Sequence, residues 1–543
     1  MILAKCYHRL LEFLAVCALL LVAASCTLVE ERIDRTAGGP NVPADTAVQM
    51  RPESVEQSAE TAKRTLPPGP LKVTVTGAIL LCLENNRSLV VERLNPSIEQ
   101  TFEDQERAVF DPAINADVAA GRVKGERLGR TGSETEDFTT DTAEGNISLA
   151  QYFPTGTTVA LEADTLIDDS SVYDDNFYST RLGLTVTQAL ARGYGTEVNL
   201  ARLQQARLDT RMSEYELRGF TEFLVAEVER TYWDYALARR QIEIVEESLK
   251  VAHQQLSETQ ELIAVGRLAE AELPAVQAEV AAQEQGLINA RSNMESIRLQ
   301  LLRLLNPAGA GLWNRQVELI HQPTLPEIKL DDIEQYVAVS MRMRPLLNEA
   351  RLSVMRDDLE LVRTKNGLLP LMDLFVNLGK SGYADSFSSS VSNIDGSNYD
   401  VLGGMRFEYP FWNRQAQARH QRAQLSREQS EKALENLSQL VEVDVRTAYI
   451  EVNRSKQQIA ASTATRKFNE EKLRIETEKF RVGRSTSFLV AQAQRDLLVS
   501  RIAEVQALAN YLKALVDLYQ QDGSLLERRG IAAPGREPVK LPK

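Results

Sequence analysis

The chain says one thing twice. Residues 228–232 read VERTY and 445–449 read VRTAY, and Val265-Gly266-Arg267 returns as Val482-Gly483-Arg484. Both matches carry the same offset, 217 residues. Two matches in register, inside long segments with apolar periodicity, indicate a duplicated architecture. The 543 residues are therefore sought as two similar halves rather than as one domain.

Each half begins with period-2 segments. Ile147, Leu149 and Gln151 alternate with Ser148 and Ala150. After Pro154-Thr155-Gly156 come Val159, Leu161 and Ala163. Leu182, Leu184 and Val186 alternate with Gly183, Thr185 and Thr187, beyond an acidic loop at 167–180. In the second half Leu374, Val376 and Leu378 precede a Ser-rich loop at 381–399. Met405, Phe407 and Tyr409 then face away from Gly404, Arg406 and Glu408. These are hairpins of strands about ten residues long. The last strand suits lipid on one side and water on the other, and equally a soluble sheet with one wet face.

A long helix follows each hairpin. Residues 196–262 hold no proline and one glycine, Gly219, among Ala, Leu, Glu, Gln and Arg, all good helix formers. At 1.5 Å per residue that is a rod of about 100 Å. Val225, Val228, Tyr232, Tyr235, Ile242, Val245 and Leu249 form a coiled-coil seam. Gly266 interrupts the rod, and a second helix over 269–305 stops at Asn306-Pro307, with Pro274 read as a bend near the tip. The second half matches it with a helix over 414–480, a break at Gly483 and a return over 486–520. A further helix precedes each hairpin, at 73–94 and 331–363. Residues 97–120 read as a less regular helix, 121–145 as loop, 306–330 as the linker between halves, and the tail 526–543 as disordered.

Lys5 and Arg9 precede a run at 10–24 that is apolar apart from Glu12. It is too short to span a bilayer and reads as a signal peptide, 1–25. Ala23-Ala24-Ser25-Cys26 resembles the processing site of bacterial lipoproteins, with Cys26 the lipidated first residue of a polar tether, 26–72. Ala23 stands where Leu is usual, and Thr27 replaces the Asp that marks retention at the inner membrane. Cys82 then remains alone in an apolar run, a small buried hydrophobe, so a disulfide framework is excluded. No later run of 18 apolar residues marks a spanning helix, which says nothing against a barrel. The net charge of -14, with no basic stripe, argues against nucleic acid. His8, His253, His321 and His420 are scattered. No HExxH, CxxC, phosphate loop or nucleophile elbow occurs. The chain reads as no enzyme and as needing no cofactor or metal. Tyr232 and Tyr449 read as seam packing, Trp233 as inter-helix packing, and Phe411 and Trp412 as an interfacial aromatic belt.

Four strands cannot close a barrel in lipid, because open edges leave backbone groups unpaired. Three copies supply twelve, and the long helices bury their seams around the same axis. Residues 73–525 also carry, in order, Leu83-Glu84-Asn85-Asn86, Thr187-Gln188-Ala189-Leu190, Arg192-Gly193-Tyr194-Gly195 and Val482-Gly483-Arg484. With the repeat, strand pairs and glycine turns, the chain resembles the TolC-type outer-membrane efflux protein family. The resemblance implies a mainly α fold with transmembrane β: a trimeric 12-stranded barrel, four strands per protomer, continued by an α-helical coiled-coil barrel in the periplasm. The two efflux repeats are 73–305 and 331–525. The implied function is a lipid-anchored outer-membrane channel, a homotrimer fed by an inner-membrane pump through a periplasmic adaptor. The alternatives are the outlet of a type I protein secretion system and a non-conducting periplasmic scaffold.

The resemblance also places the adaptor-contacting tips at Val265, Gly266 and Arg267 and at Val482, Gly483 and Arg484, where glycine lets the chain reverse. Two aspartates follow the second turn in the family's best-known members. Leu489 and Gln492 stand there instead, so that acidic gate does not carry over. The constriction candidates are Glu272, as an acidic ring, and Phe488 with Leu489, as an apolar plug, beside Gln492.

Overall fold

The computed structural model describes residues 69–541 except 129–131, 133, 172–174, 308–311, 321–323 and 327. The signal segment, Cys26 and most of the tether lie outside the described residues. The chain divides into two compact units.

The first unit holds Ile98–Thr210 and Ser353–Glu431. Its centre is a six-stranded antiparallel sheet: β1 (Ala113–Leu128), β2 (Thr135–Phe153), β3 (Thr157–Ser170), β4 (Phe177–Ala189), β5 (Leu371–Ala384) and β6 (Tyr399–Glu408). Neighbours in the sheet follow chain order. Six strands stand where four had been expected. The helix expected over 97–120 is Asn95–Arg107 and a short 3-10 turn, and the loop expected over 121–145 is the rest of β1 and the start of β2. The difference has a physical source. β1 alternates Ile114, Ala116, Val118 and Ala120 with Asn115, Asp117, Ala119 and Gly121, and alanine and glycine contrast weakly with their neighbours. Strand preference at such positions comes from the partner strand more than from the residue itself.

Of the described residues, the second unit holds 69–97, Arg211–Leu352 and Lys432 onward. Its helices are the bulk of α1 (Ala201–Ala264), α2 (Leu273–Leu305) and, after Ile333–Met343 and the first turns of α3 (Pro345–Asn366), most of α4 (Arg414–Arg481), then α5 (Ser487–Gln521) and α6 (Leu525–Arg528). α1 and α4 run 64 and 68 residues, each about 100 Å at 1.5 Å per residue. The repeated VERTY and VRTAY words mark the core. Val228 and Val445 are both fully buried, with Leu301, Leu302, Leu515 and Leu518 in the same cluster. Tyr232 is buried there, and Trp233 packs on it edge-on at 5.1 Å. Of the expected seam, Val225, Tyr235 and Val245 are buried too, while Ile242 and Leu249 are half-buried.

Three further regions differ from what the residues alone suggest. Pro274 makes no bend: it sits in the first turn of α2, where a missing N–H leaves no hydrogen bond unmade. The linker between the halves contains a strand, Val317–Leu319, paired in parallel with Leu71–Val73. The tail is packed, not disordered. Leu525, Leu526 and Val539 are buried, the Tyr215 hydroxyl donates to the Glu537 carbonyl, and the Val539 N–H donates to Asn348 Oδ1 at 2.9 Å. Its Pro and Lys content hid these apolar anchors, spaced apart by Gly530 and Gly535 in the left-handed region. Cys82 is a buried free thiol, and burial pushes its pKa up to about 12. Among the described residues no helix is long and apolar enough to cross a membrane.

Candidate functional site

Two regions carry the chemistry a duct would need: the faces of the sheet and the helix turns.

Side chains alternate across a strand, so one register defines both faces of the sheet. One cross-strand row reads Leu161, Leu184, Leu378 and Val401, and all four are exposed. The next row, on the opposite face, reads Glu162, Gly183, Gly379 and Asp400. The Arg181 guanidinium crosses this polar face. It donates to Asn377 Oδ1 at 2.6 Å and to Asp400 Oδ2 at 2.8 Å, and lies 3.7 Å from Asp164. Glycine at 379 is what lets it pass, because a Cβ there would meet its Nη2 at 2.6 Å. An apolar face backed by a charged one is the pattern of a wall with lipid outside and water inside. Where β6 ends, Phe411 and Trp412 are exposed and stack edge-on at 5.4 Å, with Arg414 over the indole ring at 5.5 Å. Aromatic rings beside a cation suit a membrane interface.

The two turns share one geometry. After α1, Gly266 has φ 68°, its N–H donates to the Ile263 carbonyl, and Arg267 N–H reaches Leu262, both at 2.9 Å. After α4, Gly483 has φ 74°, its N–H donates to Phe480 at 2.9 Å, and Arg484 N–H reaches Lys479 at 2.8 Å. This paired closure satisfies the orphan carbonyls of a helix end and places glycine in the left-handed position. Val265, Gly266, Arg267, Val482, Gly483 and Arg484 are all exposed. Beside the second turn, Lys479 and Ser485 hold the Glu476 carboxyl below the usual range.

The constriction candidates separate into two kinds. Phe488, Leu489 and Gln492 are exposed on the first two turns of α5, whereas Val490 and Ala491 face inward. The apolar pair is thus presented outward from the protomer. Glu272 is not left free for a ring of carboxylates. It accepts from the Ser487 N–H at 3.1 Å and from the Ser487 hydroxyl. A carboxylate there answers an unpaired N–H and the positive end of the α5 dipole. Nearby, buried Glu279 binds Arg495 of α5 at 2.6 Å and Gln283 at 2.7 Å. These ties between the tips are invisible in the sequence, apart from the position of Glu272 six residues after a repeated glycine.

The outer membrane efflux protein family model matches residues 79–307 and 341–524. Among solved structures, the outer-membrane channel OprN is 16% identical, with a TM-score of 0.61, over 83% of this chain and 90% of that one. The CmeC outer membrane channel of Campylobacter jejuni is 14% identical, with a TM-score of 0.61, over 83% and 86%. VceC of Vibrio cholerae is 15% identical, with a TM-score of 0.59, over 83% and 96%. None of the curated proteins matches the chain in sequence.

Proposed function

Because the chain belongs to the outer membrane efflux protein family, we propose that three copies form a channel that receives solutes from an inner-membrane pump through a periplasmic adaptor. The protein is a passive duct of the outer membrane with a helical periplasmic extension, not an enzyme. The observation that carries the fuller reading is the sheet with one apolar and one charged face, whose open edges cannot stay unpaired in hydrocarbon. Three copies close it about one axis.

The exposed valines and arginines at the two glycine turns are the adaptor-contacting surface in this proposal, with Val265 and Val482 as apolar anchors. Phe488 and Leu489 form the constriction, three copies meeting as an apolar plug. Glu272 anchors the tips rather than lining the pore. In the same proposal Cys26 carries the lipid, and Cys26→Ser should abolish fatty-acid labelling.

The test is electrical. The protein from outer-membrane fractions should run as a detergent-stable trimer and hold a nearly closed pore in planar bilayers. Phe488→Ala should raise that closed-state conductance severalfold. Unchanged conductance in a stable trimer removes Phe488 from the constriction. The absence of both trimer and pore sinks the channel reading and favours a scaffold.

A further inference from the structure

The two copies of the repeat do not have the same length. From β3 through α1 the second copy follows at about 217 residues: α1 ends at Ala264 and α4 at Arg481. The helix that leads into each copy follows a different offset. Val75–Asn85 and Ile333–Met343 are both eleven residues long and lie 258 apart, which is 41 more than 217. Ala113–Phe153, from the start of β1 to the end of β2, is 41 residues. The β1–β2 hairpin is therefore an insertion into the first copy.

The insertion continues the sheet rather than standing apart from it. β2 pairs with β3 from Thr140–Ser170 down to Phe153–Thr157, the whole length of β3. The apolar row Leu161, Leu184, Leu378, Val401 extends through Leu149 to Ile114 without a break. Ile147 and Val118 lie on the same face and are exposed, Val118 at 89%. The opposite row extends through Ser148 to Asn115, so the wet face continues too. On the apolar face the band ends at Arg122, bound to Asp141 through two nitrogens. Four alternate positions at about 3.3 Å per residue span about 20 Å, close to the height of a lipid-facing band.

We propose that the inserted hairpin is part of the membrane wall. Each protomer contributes six strands, and β1 of one copy pairs with β6 of the next. The inference rests on the trimeric channel reading and goes beyond it. The occupant of both free edges is a second copy of this chain. An exposed edge bearing the apolar band needs a partner that continues the band, and with six strands the β6–β1 junction is antiparallel like every other. Three copies then close eighteen strands, within the range of outer-membrane barrels. Diameter grows with strand number, so the barrel is about 1.5 times as wide as twelve strands allow.

Single cysteines at Val118, at Asp117 and, as reference, at Met405 test the wall in full-length protein carrying a fluorophore. Cys82 is buried and takes no label. In vesicles of brominated phosphatidylcholine, Val118→Cys and Met405→Cys should each lose emission at least about twofold, as lipid-facing sites do, and Asp117→Cys should not. A bright Val118 beside a quenched Met405 overturns the proposal while leaving the channel reading intact. Two bright sites overturn the channel reading, and the proposal with it. Oxidation of paired cysteines gives the second arm. Combinations of Ile114 or Val118 with Val401 or Met405 should join copies into dimers and trimers in the register the barrel uses. A ladder from Leu161 or Ala163 with those β6 positions, and none from β1, means that the hairpin lies outside the wall.

Discussion

In the long helix of the first copy, Arg218 and Glu222 are almost fully buried, whereas 217 residues later Glu435 and Gln439 of α4 lie exposed. The difference is what each helix meets. Arg218 binds Glu222 at 3.1 Å and, at 2.6 Å, Glu527 of the C-terminal segment. Arg529 reaches Glu229 of α1, about two turns beyond Glu222, at 2.6 Å. Glu435 pairs with Lys432 in solvent, both side chains about two-thirds exposed. The copies share their turns and their core valines, and differ where one of them receives the chain's own tail. Duplication keeps what each copy needs alone. The docked partners then break the symmetry.

Three experiments sharpen or break this comparison. The largest effect is expected at Arg218. Arg218→Ala leaves Glu527 without its cation and opens a cavity beside the buried Glu222, and should cost about 3–5 kcal/mol. Glu435→Ala, removing an exposed pair, should cost under about 1 kcal/mol. Denaturant melts of the detergent-solubilised protein measure both, and similar costs would mean that the copies are equivalent after all.

The next effect depends on pH. Burial pushes the Glu222 carboxyl up to about 8, against the pull of Arg218, and Asp522 up to about 6. Both folded values lie above the unfolded ones, so the folded state holds these protons more tightly. Their contribution is complete below the unfolded carboxylate range and is lost as pH rises through 6 and then 8. The melting temperature should therefore fall across that window, and Glu222→Gln should flatten the upper part of the slope. A slope unchanged by the substitution assigns the pH dependence elsewhere.

The smallest effect tests where the copies agree. Gly266→Ala and Gly483→Ala each force a Cβ into the left-handed region, at about 1–2 kcal/mol. Neither position has another atom within 4 Å of such a Cβ, so the two costs should be equal. A clear inequality in unfolding midpoint would show that the turns differ in some way their backbone does not express.

Much of this was legible in the residues. The absence of proline and the scarcity of glycine marked α1 and α4 to within a few residues at most positions. The glycine turns were placed correctly because left-handed backbone selects glycine almost uniquely. β4 to β6 were readable because Leu, Val, Met and Phe alternate with polar residues. β1 was not, because Ala116, Ala119, Ala120 and Gly121 blur the alternation, and the Thr and acidic residues of β2 look like loop until a partner strand pairs them. Glu272 could be found by its offset from Gly266, but not its bond to Ser487, which joins residues 215 apart.

The sequence by itself determined the repeat, the helices, the two turns and a sheet with one dry face, since each is written in local periodicity or in a residue's own conformational range. Tertiary structure decided that the sheet has six strands, that the tail is docked, and that Glu272 caps a helix. Each of these depends on a distant partner supplying a hydrogen bond or an apolar surface, and no local pattern names that partner.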